Sequence, residues 1–397
     1  METCNVTSSR QRIPVGLLYS GTGFYGAVGR EMLQGAMLGL EEVNAWTDTG
    51  FVLNPVIADP GGSLRGYYDA CETMLRQDRV LHLVGCYTSV ARRQVLPLVE
   101  AAGGLLWHPA RYEGFESSDN IIYVGAAPNQ HVVPLVRYML DRIGSEPYCI
   151  GSHYIWTWET TRVLREMLGA AGGHIVAERT LPLGETSVDH IVDEILRLRP
   201  SAVFNTLVGQ SSYAFFRAYH AARLRDPHRP LPPVLSCSLC EPELRIIGVE
   251  AGSGHIVCSP WFQSLNTPEN RVFLGRYHER FGPGSLPSVD AQASYVCMLL
   301  LGRAIRASGS AEVEAVRRAL YRDSFLAPQG PIRVDPDNNH TYATPRIACS
   351  NAAGQFDLLW QSPAPLRPDP YLIWLDQALP PADEARIRQQ GHLRVVS

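Results

Sequence analysis

Short apolar runs alternate along this chain with longer stretches whose apolar positions recur every three to four residues, the signature of strands alternating with amphipathic helices. Residues 14–19 read as a buried strand. Residues 27–45 read as a helix with Val28, Met32, Ala36, Leu40 and Val43 on one stripe. A second strand, 52–58, ends in the turn Asp59-Pro60-Gly61-Gly62. A helix over 67–77, a strand over 80–85, a helix from Ser89 as N-cap to about 102, and strands at 105–107 and 121–124 follow. The alternation then restarts, with strands at 148–151, 175–181, 202–206, 232–236 and 256–259 and helices at 157–171, 188–198 and 211–224. Three helical stretches come next, 268–281, 288–307 and 311–321, and residues 342–360 alternate like a hairpin before a Pro-rich end.

Repeated strand–helix units predict an α/β protein with parallel sheets covered by helices on both faces. One sheet holding all these strands would be large, and two doubly wound domains fit 397 residues better. Ligands of such sheets bind outside the carboxyl ends of the strands, so the informative residues are those just after each strand.

Composition narrows the chemistry. Hydrophobic residues make up 45% of the chain, enough for sizeable cores. A net charge of −4 lacks the basic footprint of a nucleic-acid binder. All 35 basic residues are Arg. Without lysine there is no Schiff-base amine, no P-loop phosphate lysine and no kinase strand lysine. The nine Cys are an odd number, awkward for a disulfide framework and ordinary in a reducing compartment. The first residues lack a basic region followed by an apolar one, and no run of 18 apolar residues occurs. The expectation is a cytoplasmic protein.

Most local motifs are weak. Gly21-Thr-Gly23-Phe-Tyr-Gly26 is a formal G-x-G-x-x-G, but its acidic candidate, Asp59, lies 33 residues past Gly26, and Phe24 and Tyr25 would crowd a pyrophosphate. A glycine-rich turn lining a cleft is the better reading. Cys237-Ser-Leu-Cys240 is a lone C-x-x-C without two further ligands at zinc spacing, so no metal site is expected. Neither H-E-x-x-H nor G-x-S-x-G occurs, so no catalytic residue is assigned and no enzyme is expected. No cofactor is implied either. Three clusters after predicted strands are more informative: Tyr87-Thr-Ser89, Trp107-His108-Pro-Ala110 and Tyr154-Ile-Trp156. Aromatics with a few hydroxyls converging on one rim suit a small, polar, uncharged ligand.

These residues also carry a resemblance. Val84-Gly-Cys-Tyr-Thr-Ser89, Tyr112-Glu-Gly-Phe-Glu116, Ala127-Pro-Asn-Gln130 and Gly151-Ser-His-Tyr-Ile-Trp156 resemble the amide-sensing negative regulators of aliphatic amidase operons, the AmiC family. So do Ala327-Pro-Gln-Gly-Pro-Ile-Arg-Val334, Asn338-Asn-His340, Trp360-Gln-Ser-Pro363 and Arg367-Pro-Asp-Pro-Tyr371. The resemblance runs in register from about Pro14 to Tyr371. Urea and short-chain amide binding proteins of ABC transporters are similar but more distant.

The resemblance implies a type I periplasmic-binding-protein fold: two doubly wound parallel-sheet lobes, three crossovers and an interlobe ligand cleft. One lobe would hold 12–128 and 262–335, the other 129–261 and 336–375, with 376–397 as a tail. It implies a cytoplasmic sensor of short-chain amides that holds an RNA-binding antiterminator protein (AmiR-like) inactive, works as a homo-oligomer, and touches neither nucleic acid nor membrane itself. Carried over by motif, Ser89 and Tyr154 would hydrogen-bond the amide, Tyr87 would line the same wall, and Ser238 would lie near the closing lobe. His108 and Ala110 stand where the family usually has Tyr and Thr, Arg111 where it has Pro, and Trp156 where it has Tyr. These departures change the pocket's volume, polarity and charge. The alternative is the solute-binding component of an ABC importer for urea, short amides or branched-chain amino acids, which would need a leader ahead of Met1.

Overall fold

A computed structural model describes residues 10–373; the predicted tail and the reading of the first residues lie outside them. The first lobe begins β1 (Gln11–Leu18), α1 (Gly26–Asn44), β2 (Phe51–Ala58), α2 (Leu64–Arg76), β3 (His82–Gly85), α3 (Ser89–Ala101), β4 (Leu105–His108) and β5 (Ile121–Tyr123). Its strands lie in the order β2-β1-β3-β4-β5, and every pairing is parallel. β3, β4 and β5 are buried at every position because helices cover both faces. That is why they read as uninterrupted apolar runs.

The chain crosses to a second lobe through 124–131. There follow α4 (Val132–Arg142), β6 (Pro147–Ser152), α5 (Ile155–Ala170), β7 (Ala177–Leu181), α6 (Asp189–Leu198), β8 (Ala202–Thr206), α7 (Gln210–Arg225), β9 (Val234–Ser236), α8 (Glu241–Ile247), α9 (Val249–Gly252) and β10 (Ile256–Ser259). It returns as α10 (Pro268–Phe281), α11 (Val289–Ser308), α12 (Val313–Leu320) and the hairpin of β11 (Ser324–Ala327) and β12 (Gly330–Arg333). A third crossing leads to β13 (Arg346–Ser350) and β14 (Phe356–Gln361). The second sheet has the order β14-β13-β10-β9-β8-β6-β7, parallel except at β13 and β14. Among the described residues no helix is long and apolar enough to cross a membrane.

α11 returns to the first lobe by packing along α1. Gly35 makes that approach possible: a Cβ there would sit 1.9 Å from the Ala291 carbonyl oxygen, far inside contact distance. Helix α4 and the β11–β12 hairpin are not predicted by the sequence pattern. Pro134 interrupts the helical reading, yet it lies in the first turn of α4, where its missing N–H would have no helical partner anyway.

The crossings are tied together. Tyr123 and Thr341 exchange backbone bonds with the neighbouring passages (Tyr123 N–H to Asn339 O and Thr341 N–H to Tyr123 O, each 2.9 Å). Thr341 Oγ1 donates to the Val124 carbonyl at 3.0 Å, and Gln130 Nε2 to the Thr341 carbonyl at 3.1 Å. Gly125 sits against the Ala110 carbonyl, where a Cβ would come within 2.0 Å.

Candidate functional site

The two lobes meet across the carboxyl ends of their strands. The Gly21–Gly26 turn after β1 is braced by Asp59, which accepts from the Gly21 N–H at 3.1 Å and from Thr22 Oγ1 at 3.2 Å. This is what the acidic residue does here. The same turn approaches the second lobe closely, for a Cβ on Gly209 would lie 2.7 Å from the Phe24 carbonyl oxygen.

Inside this mouth is a cavity lined by Tyr87, Ser89, Arg111, Tyr154, Trp156, Val208 and Ser238. Each follows a strand. Tyr87 and Ser89 come after β3 and Arg111 after β4, while Tyr154 and Trp156 follow β6, Val208 follows β8 and Ser238 follows β9. The free volume is about 20 Å³. One water needs roughly 10–15 Å³ of such space, so the cavity as it stands has room for one or two waters.

Ser89 is not the N-cap of α3. Thr88 is, with extended backbone and a hydroxyl accepting from the Ala91 N–H at 3.3 Å. Ser89 is the first helical residue, and its hydroxyl is free for another task. It donates to Glu113 Oε2. Behind it stands a buried ionic network centred on Arg92, whose side chain is fully buried. Arg92 pairs with Glu113 at 3.3 Å and with Glu116 at 2.7 Å, and lies over the Tyr112 ring at 4.6 Å. Arg92 Nη1 also reaches Ser89 Oγ at 3.4 Å. Burial raises the Glu116 carboxyl, but the Arg92 charge outweighs it and leaves it below its ordinary value. With its proton given to Glu113, Ser89 faces the cavity as a hydrogen-bond acceptor.

His108 belongs to this network and not to the cavity lining. Arg92 can only donate, so His108 Nε2, 3.2 Å away, is the acceptor and Nδ1–H faces the Gly85 carbonyl at 3.3 Å. Burial, reinforced by Arg92, holds His108 at about 3, so it is neutral. Ala110 is also absent from the lining: it is buried in the first lobe's core, with its carbonyl against Gly125. The structure thus brings Tyr87, Ser89, Tyr154, Trp156 and Ser238 together and leaves His108 and Ala110 behind the wall.

Two residues lining this site carry donors without a committed partner among the described residues. Trp156 Nε1 is buried and has no protein acceptor. Among the described residues Arg111 makes one hydrogen bond, from Nη2 to Asp290 Oδ2 at 2.8 Å, and its remaining N–H groups have no acceptor. Sequence reasoning noted Arg111 only as a departure and missed Arg92, Glu113 and Val208. The i, i+3 spacing of Ser89 and Arg92 and the Tyr112–Glu116 motif were the available signals. Cys237 and Cys240 are free buried thiols, and burial pushes Cys237 up to about 12. Among the described residues no group of His, Cys, Asp and Glu could hold a metal ion.

The buried histidines give a pH prediction. Burial holds His108, His131 and His340 at about 3, and His82 and His255 at about 4, against an ordinary 6.5. Below 6.5 the unfolded chain takes protons that the folded one refuses, so stability falls with falling pH. Glu241 and Glu243, pushed up by burial to about 7, act oppositely between 4.5 and 7, where only the folded chain holds their protons. Below 4.5 nothing from this pair offsets the histidines. Below 6.5 the five histidines outweigh the two carboxyls, so the melting temperature is expected to fall from about pH 6.5 downward and most steeply below about 4.5. Calorimetric scans across this range check it, and a transition held to pH 3.5 would contradict the assignment.

Comparison with known proteins places this geometry. Residues 13–377 match the family described as periplasmic binding protein domain. A Leu/Ile/Val-binding protein homolog of Brucella abortus is 22% identical over 279 residues, covering 68% of this chain and 70% of that one. The limonene hydroxylase of Geobacillus stearothermophilus is 32% identical over only 126 residues, which is 32% of this chain and 23% of that protein. The chain thus spans about a quarter of that relative's length. A solute-binding protein of an ABC transporter from Rhodopseudomonas palustris, solved with p-hydroxybenzoic acid, superposes with a TM-score of 0.80 at 20% identity, covering 92% of this chain and 100% of that one.

Proposed function

The chain belongs to the periplasmic binding protein family, and from that premise we propose that it is a sensor of a short-chain aliphatic amide or urea, with no catalysis of its own. The observation that carries the reading is the acceptor role of Ser89, set by its bond to Glu113. A ligand that satisfies it must present a hydrogen-bond donor, an N–H or an O–H. Trp156 Nε1 and Arg111 ask in turn for an acceptor on the same small molecule. An amide offers both within a few atoms. A carboxylate group offers only acceptors, and an oxygen placed against the Ser89 oxygen gains no hydrogen bond there.

In this reading amide binding in the cleft controls an RNA-binding antiterminator protein, which the unliganded sensor holds inactive, in the cytoplasm and as a homo-oligomer. The sequence motifs between Val84 and Tyr371 support it. A second reading, the solute-binding component of an importer, is favoured by relatives whose names describe Leu/Ile/Val binding and ABC transport.

A thermal-shift panel separates them. Acetamide, propionamide, butyramide, urea, formamide and larger amides are compared with Leu, Val and p-hydroxybenzoate. A ligand at 100 times its Kd adds about 2.7 kcal/mol. Stabilisation by one or more short amides or urea is the expected result. Stabilisation by Leu, Val or p-hydroxybenzoate alone would replace it with solute capture.

A further inference from the structure

Arg111 occupies an unusual place. Its side chain lines the ligand cavity and also a second, enclosed void lined by Gly125, Pro260, Asp290, Gln329 and Thr341. That void lies among the crossings between lobes. Arg111 therefore reaches from the crossings into the ligand site, and its anchor there is Asp290 at the start of α11. Both side chains are nearly buried, 10% and 4% exposed. Nη2 is used by Asp290, and among the described residues the other guanidinium N–H groups have no acceptor.

A buried guanidinium beside a ligand would ordinarily select an anion. Here the balancing carboxylate is already in place. We infer that the Arg111–Asp290 pair sets the charge of the ligand: Arg111 donates to a carbonyl oxygen, and Asp290, by neutralising the guanidinium, makes the cavity accept the neutral carbonyl compound and reject the carboxylate of the same shape. This rests on the short-amide reading and adds to it the group that reads the oxygen end. A carboxylate entering here would add a negative charge near Asp290 and Glu113, with Arg111 and Arg92 already paired to them. Such unbalanced charge is costly where water is excluded. A neutral amide adds none. Its oxygen takes the spare Arg111 donors while its nitrogen serves Ser89.

The isosteric pair acetamide and acetate tests this directly. Calorimetric titrations are run on the full chain, on Arg111→Gln and on Asp290→Asn, with far-ultraviolet circular dichroism confirming that each variant is folded. The wild type is expected to bind acetamide at least tenfold more tightly than acetate. Asp290→Asn removes the guanidinium's direct ion-pair partner, leaving Glu243 at longer range, and is expected to shift that ratio at least tenfold toward acetate. Arg111→Gln is expected to lose at least tenfold in acetamide affinity. If Asp290→Asn does not fold, Arg111→Gln decides alone. Amides that bind the wild type while the ratio stays fixed in Asp290→Asn, or while Arg111→Gln keeps its affinity, would overturn the inference and leave the short-amide reading standing. A wild type that takes acetate and no amide would overturn both.

Discussion

Replacing Arg92 with methionine is expected to destabilise the protein by about 3–5 kcal/mol, because removing one partner of a buried ionic network strands the others. Arg92 is fully buried and serves Glu113, Glu116, His108 and Ser89 at once. Without it, Glu113 stays buried with the Ser89 hydroxyl and with Arg93, a residue whose side chain is 41% exposed. Glu116 loses its 2.7 Å partner, and Tyr112 loses the cation over its ring. Methionine fills part of the volume and replaces none of the donors. Urea unfolding of the variant measures the effect. A loss under about 1 kcal/mol, the range of exposed ion pairs, would mean that water reaches the network and that Ser89 is not held as described.

The second large effect falls on binding. Ser89→Ala is expected to weaken amide affinity by roughly 1–3 kcal/mol, about 5- to 150-fold, by removing the acceptor for the ligand N–H. Stability changes less, because Glu113 keeps both arginines. That split between binding and folding distinguishes a ligand contact from a structural one. Titration of wild type and variant with the same amide reads it, and an unchanged affinity would remove Ser89 from the site.

The contrast between Ser89 and His108 shows what the sequence could and could not convey. Strands buried on both faces announce themselves as apolar runs, so β1, β3, β4 and the rims they end on were legible. Residues after strands were therefore good candidates, and Tyr87, Ser89, Tyr154, Trp156 and Ser238 do surround one cavity. Which way a side chain points at a strand end was not legible. Along β4, Leu106 packs with the residues of α2 and α3 while Leu105 and Trp107 join the opposite core. Strand alternation then turns His108 to the side of Leu106, where Arg92 of α3 meets it. The departure at His108 from the amide sensors that the sequence resembles thus alters the support of Ser89 and not the cavity wall. The assignment of Ser89 as N-cap failed for a related reason: Thr88 and Ser89 are both good caps, and only the backbone decides between them. The network of Arg92, Glu113 and Glu116 links residues more than 20 positions apart, which no local pattern reports.

In the proposed site a small amide binds with its nitrogen toward Ser89 and its oxygen toward Arg111 and Trp156. Ordinary density does not distinguish amide nitrogen from oxygen, but thioacetamide carries a sulfur in place of the oxygen. The deciding measurement is the anomalous difference map of a crystal of the full chain grown with thioacetamide. The sulfur peak is predicted in the cleft, beside the guanidinium of Arg111 and the indole of Trp156, with the nitrogen about 3 Å from Ser89 Oγ. A sulfur peak against Ser89, or one outside this cavity, would contradict the account.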